Sequence, residues 1–165
     1  IEAAPDVDLS RVVDVPQMLL LLEHEARAVS GEAAHRIRFD VDPDLRIYGD
    51  AEQLRSALTN LVNNAIKYTP PGKSILVQWQ RVGGRAHFAV TDSGEGIAQE
   101  HLGKLTERFY RVDRARSRQT GGAGLGLAIV KHALSHHDAQ LEIESRVGQG
   151  SRFSFLIPGR MVVVK

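Results

Sequence analysis

Cysteine is absent from all 165 residues. That excludes disulfides, thiol nucleophiles and zinc–thiolate centres, and it fits a reducing compartment. A dominant charge is missing too: 21 Lys and Arg against 20 Asp and Glu leave a net charge of +1. Global electrostatics therefore gives no attraction to nucleic acid or to a membrane surface. No apolar run approaches the roughly 20 residues that cross a bilayer. The strongest apolar patches are Met18–Leu22 and Met161–Val164. No basic-then-apolar leader opens the chain. It starts at Ile1-Glu2-Ala3-Ala4-Pro5 without Met, as expected of a piece of a longer protein. Repeats and low-complexity linkers are lacking. What remains is 42% apolar and 25% charged, the composition of one globular domain over residues 1–165.

Periodicity predicts the elements. Val7–Ser10 reads as a short edge strand. Val13–Ser30 reads as a helix with Leu19, Leu22, Ala26 and Val29 at helical spacing, stopped by Gly31. Arg36–Val41 alternates as a half-buried strand and Leu45–Tyr48 is a second short one. Asp50 is a plausible N-cap for a helix reaching Thr69, and Pro70-Pro71-Gly72 ends it. Strands Ser74–Arg81 and Ala86–Thr91 flank a hairpin signal, Val82-Gly83-Gly84-Arg85. Gly126–His136 is helical, and strands Gln140–Arg146 and Ser151–Ile157 follow. Between them, Gly94–Gly121 is long, polar and Arg-rich, the pattern of a functional lid or of a disordered loop. These elements predict an α/β chain built as an α+β two-layer sandwich, its sheet mixed or largely antiparallel, with helices on one face.

Three segments carry chemistry. In the helix after Asp50, Leu54, Leu58, Leu61 and Ala65 form the core stripe. Asn60, Asn64 and Lys67 form a second stripe turned by about 120°. Amide oxygens suit Mg²⁺, and the Lys67 ammonium can neutralise phosphate; a solvated polar face is the competing reading. Asp92 ends an apolar strand and precedes Gly94 and Gly96. A carboxylate there can accept from an exocyclic amine such as that of adenine, and the glycines let backbone approach a flat base; an Asp turn after a strand is the plain alternative. Gly122-Ala-Gly124-Leu125-Gly126-Leu127 opens a helix, whose N-terminal N–H groups can cradle phosphate. A Rossmann site is excluded because polar Arg114–Thr120, not a strand, precedes the glycines. A Walker A loop is excluded because Lys67, not Gly, stands five residues before Gly72.

The lid carries Arg108, Arg111, Arg114, Arg116 and Arg118, and arginines beside a phosphate site can clamp it; a solvated basic loop or a nucleic-acid patch is the competing reading, the latter weakened by the near-neutral net charge. His132 and His136 are spaced i, i+4 without the Glu of a zinc-protease helix. His136 and His137 read as partners of the helix dipole.

In order, Asn60-x3-Asn64, Asp92-x-Gly94-x-Gly96, Glu107-Arg-Phe109-Tyr110-Arg111, Gly122-x-Gly124-Leu125-Gly126-Leu127 and Gly148-x-Gly150-Ser151 resemble the ATP-binding catalytic domain of bacterial sensor histidine kinases. Leu105–His137 is similar in particular to sensor kinases of the phosphate-regulon type. The resemblance implies a Bergerat-type fold that binds ATP and Mg²⁺ under a flexible lid at about residues 97–121. It implies that Asn64 and Asn60 reach the metal, that Lys67 approaches phosphate, and that Tyr68 packs at the base. Asp92 would bind the adenine amine, with Gly94, Gly96 and Ile97 beside it. Phe109 and Tyr110 would anchor the lid, and Arg111, Arg116 and Arg118 would serve the γ-phosphate. Gly122, Gly124, Leu125, Gly126 and Leu127 would form the phosphate side. Ser151 stands where the family often has Thr.

Two absences sharpen the expectation. His24-Glu25 lacks the Pro of a phosphoacceptor motif, so the acceptor His is expected on a separate dimerisation domain of the same protein. The resemblance further implies a response regulator as partner and a cytoplasmic position below an inner-membrane anchor. Related ATPases and anti-sigma-factor serine kinases carry Glu where Asn60 stands; an amide cannot act as general base, so a histidine acceptor is expected rather than efficient hydrolysis. A protein serine kinase and a degenerate nucleotide-binding interaction module are the alternatives.

Overall fold

Five strands form one mixed sheet in the computed structural model, which describes residues 7–94, 96 and 123–164. In chain order the elements are β1 (Val12–Val13), α1 (Val15–Ser30), β2 (Arg36–Val41), β3 (Ile47–Tyr48), α2 (Ala51–Tyr68), β4 (Ser74–Val82), β5 (Arg85–Asp92), α3 (Ala123–His136), β6 (Glu142–Arg146) and β7 (Gly150–Ile157). The sheet order is β2-β4-β5-β7-β6. β2 runs parallel to β4, and the other neighbours are antiparallel. The fold is the expected α/β sandwich with a largely antiparallel sheet.

Local signals explain the element ends. Asp14 caps α1 by accepting from Gln17 N at 3.1 Å, and Pro16 occupies the first turn. Gly31 stops it at φ +48°. Asp50 caps α2 through Gln53 N at 2.9 Å. Gly83 and Gly84, at φ +55° and +77°, make the two-residue turn between β4 and β5, matching the twist of a tight hairpin.

Several expectations shift. Val7–Ser10 forms no strand; the short strand is β1, which takes Val13 from the start of the expected helix. It pairs with β3 in a separate two-stranded sheet. Leu45 is buried but not in a strand, because its carbonyl accepts from Trp79 Nε1 at 2.8 Å. Val29 is 55% exposed, whereas Leu19, Leu22 and Ala26 are buried. The α1 stripe therefore continues from Ala26 to Ser30, four residues on, and Val29 lies off it. α3 begins at Ala123 rather than Gly126.

The core lies between one sheet face and the helices. Ile75, Val77 and Trp79 of β4, Phe88 and Val90 of β5, and Phe155 and Ile157 of β7 point inward. They meet a helical layer that includes Leu54, Leu58 and Leu61 of α2 and Val130 and Leu134 of α3. The Phe88 and Phe155 rings lie 5.3 Å apart across β5 and β7, and truncating such a buried aromatic typically costs about 3–5 kcal/mol. No described helix is long and apolar enough to cross a membrane.

Candidate nucleotide-binding site

The two stripes of α2 separate as the periodicity requires. Leu54, Leu58, Leu61 and Ala65 are buried, Asn60 and Asn64 are half-buried, and Lys67 is exposed. Asn60 Nδ2 donates to Ser56 O at 2.7 Å, within its own helix. That bond turns Oδ1 toward α3. A Cβ added at Gly126 would sit 3.0 Å from Asn60 Oδ1 and 3.8 Å from Asn64 Nδ2. Gly126 is therefore the residue that lets the first turns of α3 come against the Asn stripe. Gly124 and Leu125 lie in the same helical segment, and Leu127 is buried behind it.

Asp92 stands at the end of β5, opposite Ser151 of β7. Its Oδ1 accepts from Gly94 N at 2.9 Å. Burial pushes the carboxyl above the ordinary carboxylate range, opposed by the N–H groups of Gly94 and Ser151, which favour the ionised form. Gly94 fits between Asp92 and the end of α2: a Cβ there would lie 2.9 Å from Asp92 Oδ1 and 3.6 Å from Thr69 Cα. Gly96, at φ +77°, lies so close to the β6–β7 turn that a Cβ would overlap the Arg146 carbonyl. Ser151 is buried, with its Oγ 2.7 Å from Ser145 Oγ. Tyr68, at the last turn of α2, is half-buried. Ile97, Phe109, Tyr110, Arg111, Arg116, Arg118 and Gly122 lie outside the described residues.

Two buried side-chain atoms in the described residues have no hydrogen-bond partner: Asn64 Nδ2 and Thr69 Oγ1. Buried polar groups are rarely left unpaired, since each costs about 1–3 kcal/mol. Asn64 lies in the C-terminal part of α2 and faces Gly126, and Thr69, which caps that helix, lies beside Gly94. A polar ligand lodged between α2, α3 and Asp92 would satisfy that requirement. An amide beside the α3 N-terminus suits a metal-bound phosphate by its chemistry.

Thr69 was not legible as a site residue. Its sequence position, between Tyr68 and Pro70, reads only as a helix end. The structure also assigns roles to histidines that spacing missed. His35 lies with Nε2 2.7 Å from Thr69 O and Nδ1 2.8 Å from Ser30 Oγ, tying the end of α2 to the end of α1. His137 is not a charged dipole partner. It is fully buried; its Nδ1–H donates to Ala133 O at 2.9 Å and its Nε2 accepts from Asp50 N at 3.0 Å. Burial holds it below the ordinary histidine range. It is a neutral clamp between the end of α3 and the start of α2. His132 and His136 stack edge to face at 4.5 Å, and no metal-ligating cluster of His, Cys, Asp or Glu occurs among the described residues.

Comparison with known proteins agrees with this geometry. Residues 49–161 match the family described as histidine kinase-, DNA gyrase B- and HSP90-like ATPase. The phosphate regulon sensor protein PhoR of Pseudomonas aeruginosa is 47% identical over 145 residues, covering 88% of this chain and 33% of that protein. The chain thus spans about a third of that relative's length. The solved mycobacterial sensor histidine kinase MprB superposes with a TM-score of 0.78 at 27% identity, over 92% of this chain and 99% of that one. Full-length ShkA, solved in complex with AMPPNP, gives 0.80 at 30% identity, over 94% of this chain and 32% of that one. The chain belongs to the family of histidine kinase-, DNA gyrase B- and HSP90-like ATPases, and within it is similar to the catalytic domains of sensor histidine kinases.

Proposed function

We propose that this domain binds Mg-ATP between α2, α3 and Asp92 and presents its γ-phosphoryl group to a histidine on a separate dimerisation and phosphoacceptor domain of the same protein. The parent would then pass the phosphoryl group to a response regulator, in phosphate-starvation signalling, from the cytoplasmic side of an inner-membrane anchor. Similarity to PhoR supports the phosphate-sensing reading.

The observation that carries the binding reading is the pair of unpartnered buried atoms, Asn64 Nδ2 and Thr69 Oγ1, with the half-buried Asp92 holding Gly94 next to Thr69. In this reading Asp92 accepts from the adenine amine, and Gly94 and Gly96 admit the base to the backbone. Asn60 and Asn64 present amides to Mg²⁺, which when bound supplies charge neutralisation at the phosphates. Lys67 is free to swing its ammonium to phosphate from the exposed end of the stripe. Tyr68, Leu127 and Ser151 frame the base and phosphate sides. On the phosphate side, Gly124, Leu125 and Gly126 belong to α3, and Gly122 enters through the resemblance alone. Ile97, Phe109, Tyr110, Arg111, Arg116 and Arg118 enter through the resemblance alone. Asn60 in place of a carboxylate supports transfer to imidazole rather than attack by water. Calorimetric titration with a non-hydrolysable ATP analogue, in Mg²⁺ and in EDTA, tests the reading. One-to-one, Mg²⁺-dependent binding is expected. No heat at millimolar ligand would overturn it in favour of a degenerate site.

A further inference from the structure

The five-stranded sheet ends at β2, and among the described residues the outer edge of that strand has no strand partner. Pairing with β4 uses the even-numbered residues. Arg36 N–H donates to Lys73 O at 3.0 Å just before the β4 ladder, and Asp42 N–H donates to Trp79 O at 2.8 Å just beyond β2. Alternation along a strand then turns the backbone groups of Ile37, Phe39 and Val41 outward. No described strand pairs there. The recorded hydrogen bond on this edge is Arg27 Nη2 donating to Ile37 O at 3.1 Å. An open groove of about 590 Å³, lined by residues that include Arg27, Arg36, Arg38 and Leu76, follows the same margin. Exposed edges are templates for a further strand.

The side chains on this strand say which strand. Arg36, Arg38, Asp40 and Asp42 alternate with Ile37, Phe39 and Val41, so two cations are followed by two anions on one face. A second copy of β2 laid antiparallel reverses that order. The backbone phase demands odd residues opposite odd residues. With Phe39 opposite Phe39, Arg38 faces Asp40 and Arg36 faces Asp42, in both directions. Shifting the register by two residues either way puts Arg38 opposite Arg38 or Asp40 opposite Asp40. Backbone phase and charge therefore select the same register.

We propose that the β2 edge is a homotypic interface, on which a second copy of this chain adds antiparallel about Phe39 and joins the two sheets into one. The contact is isologous, as a two-fold dimer requires. Ile37 exchanges backbone bonds with Val41 of the partner subunit, Phe39 with Phe39 of the partner subunit, and each Arg–Asp pair occurs twice. Arg27 must leave Ile37 O, and its bond to Glu23 at 2.8 Å is free to remain. A strand pair this short covers well below the roughly 1,600 Å² of a standard interface. Free copies therefore associate weakly and in a salt-sensitive way. This proposal is independent of nucleotide binding.

The test is sedimentation over a concentration series at low salt, with amide exchange read by NMR. Association is expected as the concentration approaches millimolar. Phe39 and Val41 amides should gain protection with concentration, while Arg38 and Asp40 amides stay unchanged. Arg38→Asp and Asp40→Arg should each weaken association by roughly tenfold, because each converts two opposite-charge pairs into like-charge pairs. The double variant R38D/D40R should recover it, a rescue that misfolding cannot mimic. A chain that stays monomeric at millimolar concentration overturns the proposal and leaves the edge to a strand from a different protein. Association indifferent to both single reversals also overturns it, by locating the contact elsewhere.

Discussion

Replacing Asp92 with Asn separates what the carboxylate does for a ligand from what it does for the fold. The substitution keeps size and shape, and one oxygen can still accept from Gly94 N, which lies 2.9 Å from Oδ1. The other oxygen becomes an NH₂ donor, which repels an incoming exocyclic amine. The loss is one hydrogen bond to a charged acceptor, worth about 1.5–3 kcal/mol. That predicts a Kd for an ATP analogue raised roughly 10- to 150-fold. Stability should move the other way. Burial raises the Asp92 pKa in the folded state, despite the N–H groups of Gly94 and Ser151. A raised carboxyl binds its proton more tightly when folded, so its stabilising contribution is present at low pH and is lost as pH rises through the folded value. At neutral pH the ionised carboxylate carries a cost that Asn removes. Asp92→Asn should therefore melt no lower than the natural chain at neutral pH, and the difference should shrink on acidification. Calorimetry for binding and thermal melts between pH 4 and pH 7 check both halves. Unchanged affinity would refute the base-reading role. A fall in affinity accompanied by a clear fall in melting temperature would refute the separation, making Asp92 a structural residue.

Asn64→Ala should remove most of the difference between titrations in Mg²⁺ and in EDTA while the melting temperature stays within a few degrees, because the amide it deletes has an unpartnered nitrogen; an intact Mg²⁺ effect would count against the metal role. His137 predicts a pH dependence of opposite sign to that of Asp92. Its folded pKa is depressed by burial, so its contribution is full above about pH 6.5 and is lost as pH falls through the folded value. Melts of the natural chain should drop across that window more steeply than those of His137→Gln, and parallel curves would contradict the neutral clamp. Among Arg111, Arg116 and Arg118, the residue that clamps phosphate should lose more affinity for ATP than for adenosine when changed to Ala. Equal losses in a paired titration would point to packing instead.

Local chemistry made much of this protein readable before any contact was known. The cap at Asp50, the four-residue core stripe of α2 and the Gly83-Gly84 turn each depend on neighbours within about one helical turn or one hairpin, and each stands as the spacing demands. The motif order from Asn60 to Ser151 reported the family for the same reason: its glycines and amides mark short stretches of backbone. What spacing could not supply is which distant segments meet. Nothing in Arg36–Val41 says that its partner is β4 and that the pair is parallel, nor that β7 inserts between β5 and β6. Those pairings are fixed by how the inward faces share one core. Likewise His137 looked like a charged helix end, and only the approach of α3 to the start of α2 buries it against Asp50 N. The sequence by itself determined the elements, the turns and the chemical inventory of the site, because these follow from short-range sterics and hydrogen bonding. The tertiary structure decided that Gly126 meets Asn60, that Gly94 meets Thr69, and that β2 lies at an edge of the sheet with no described strand beyond it, because those depend on contacts between residues far apart in the chain.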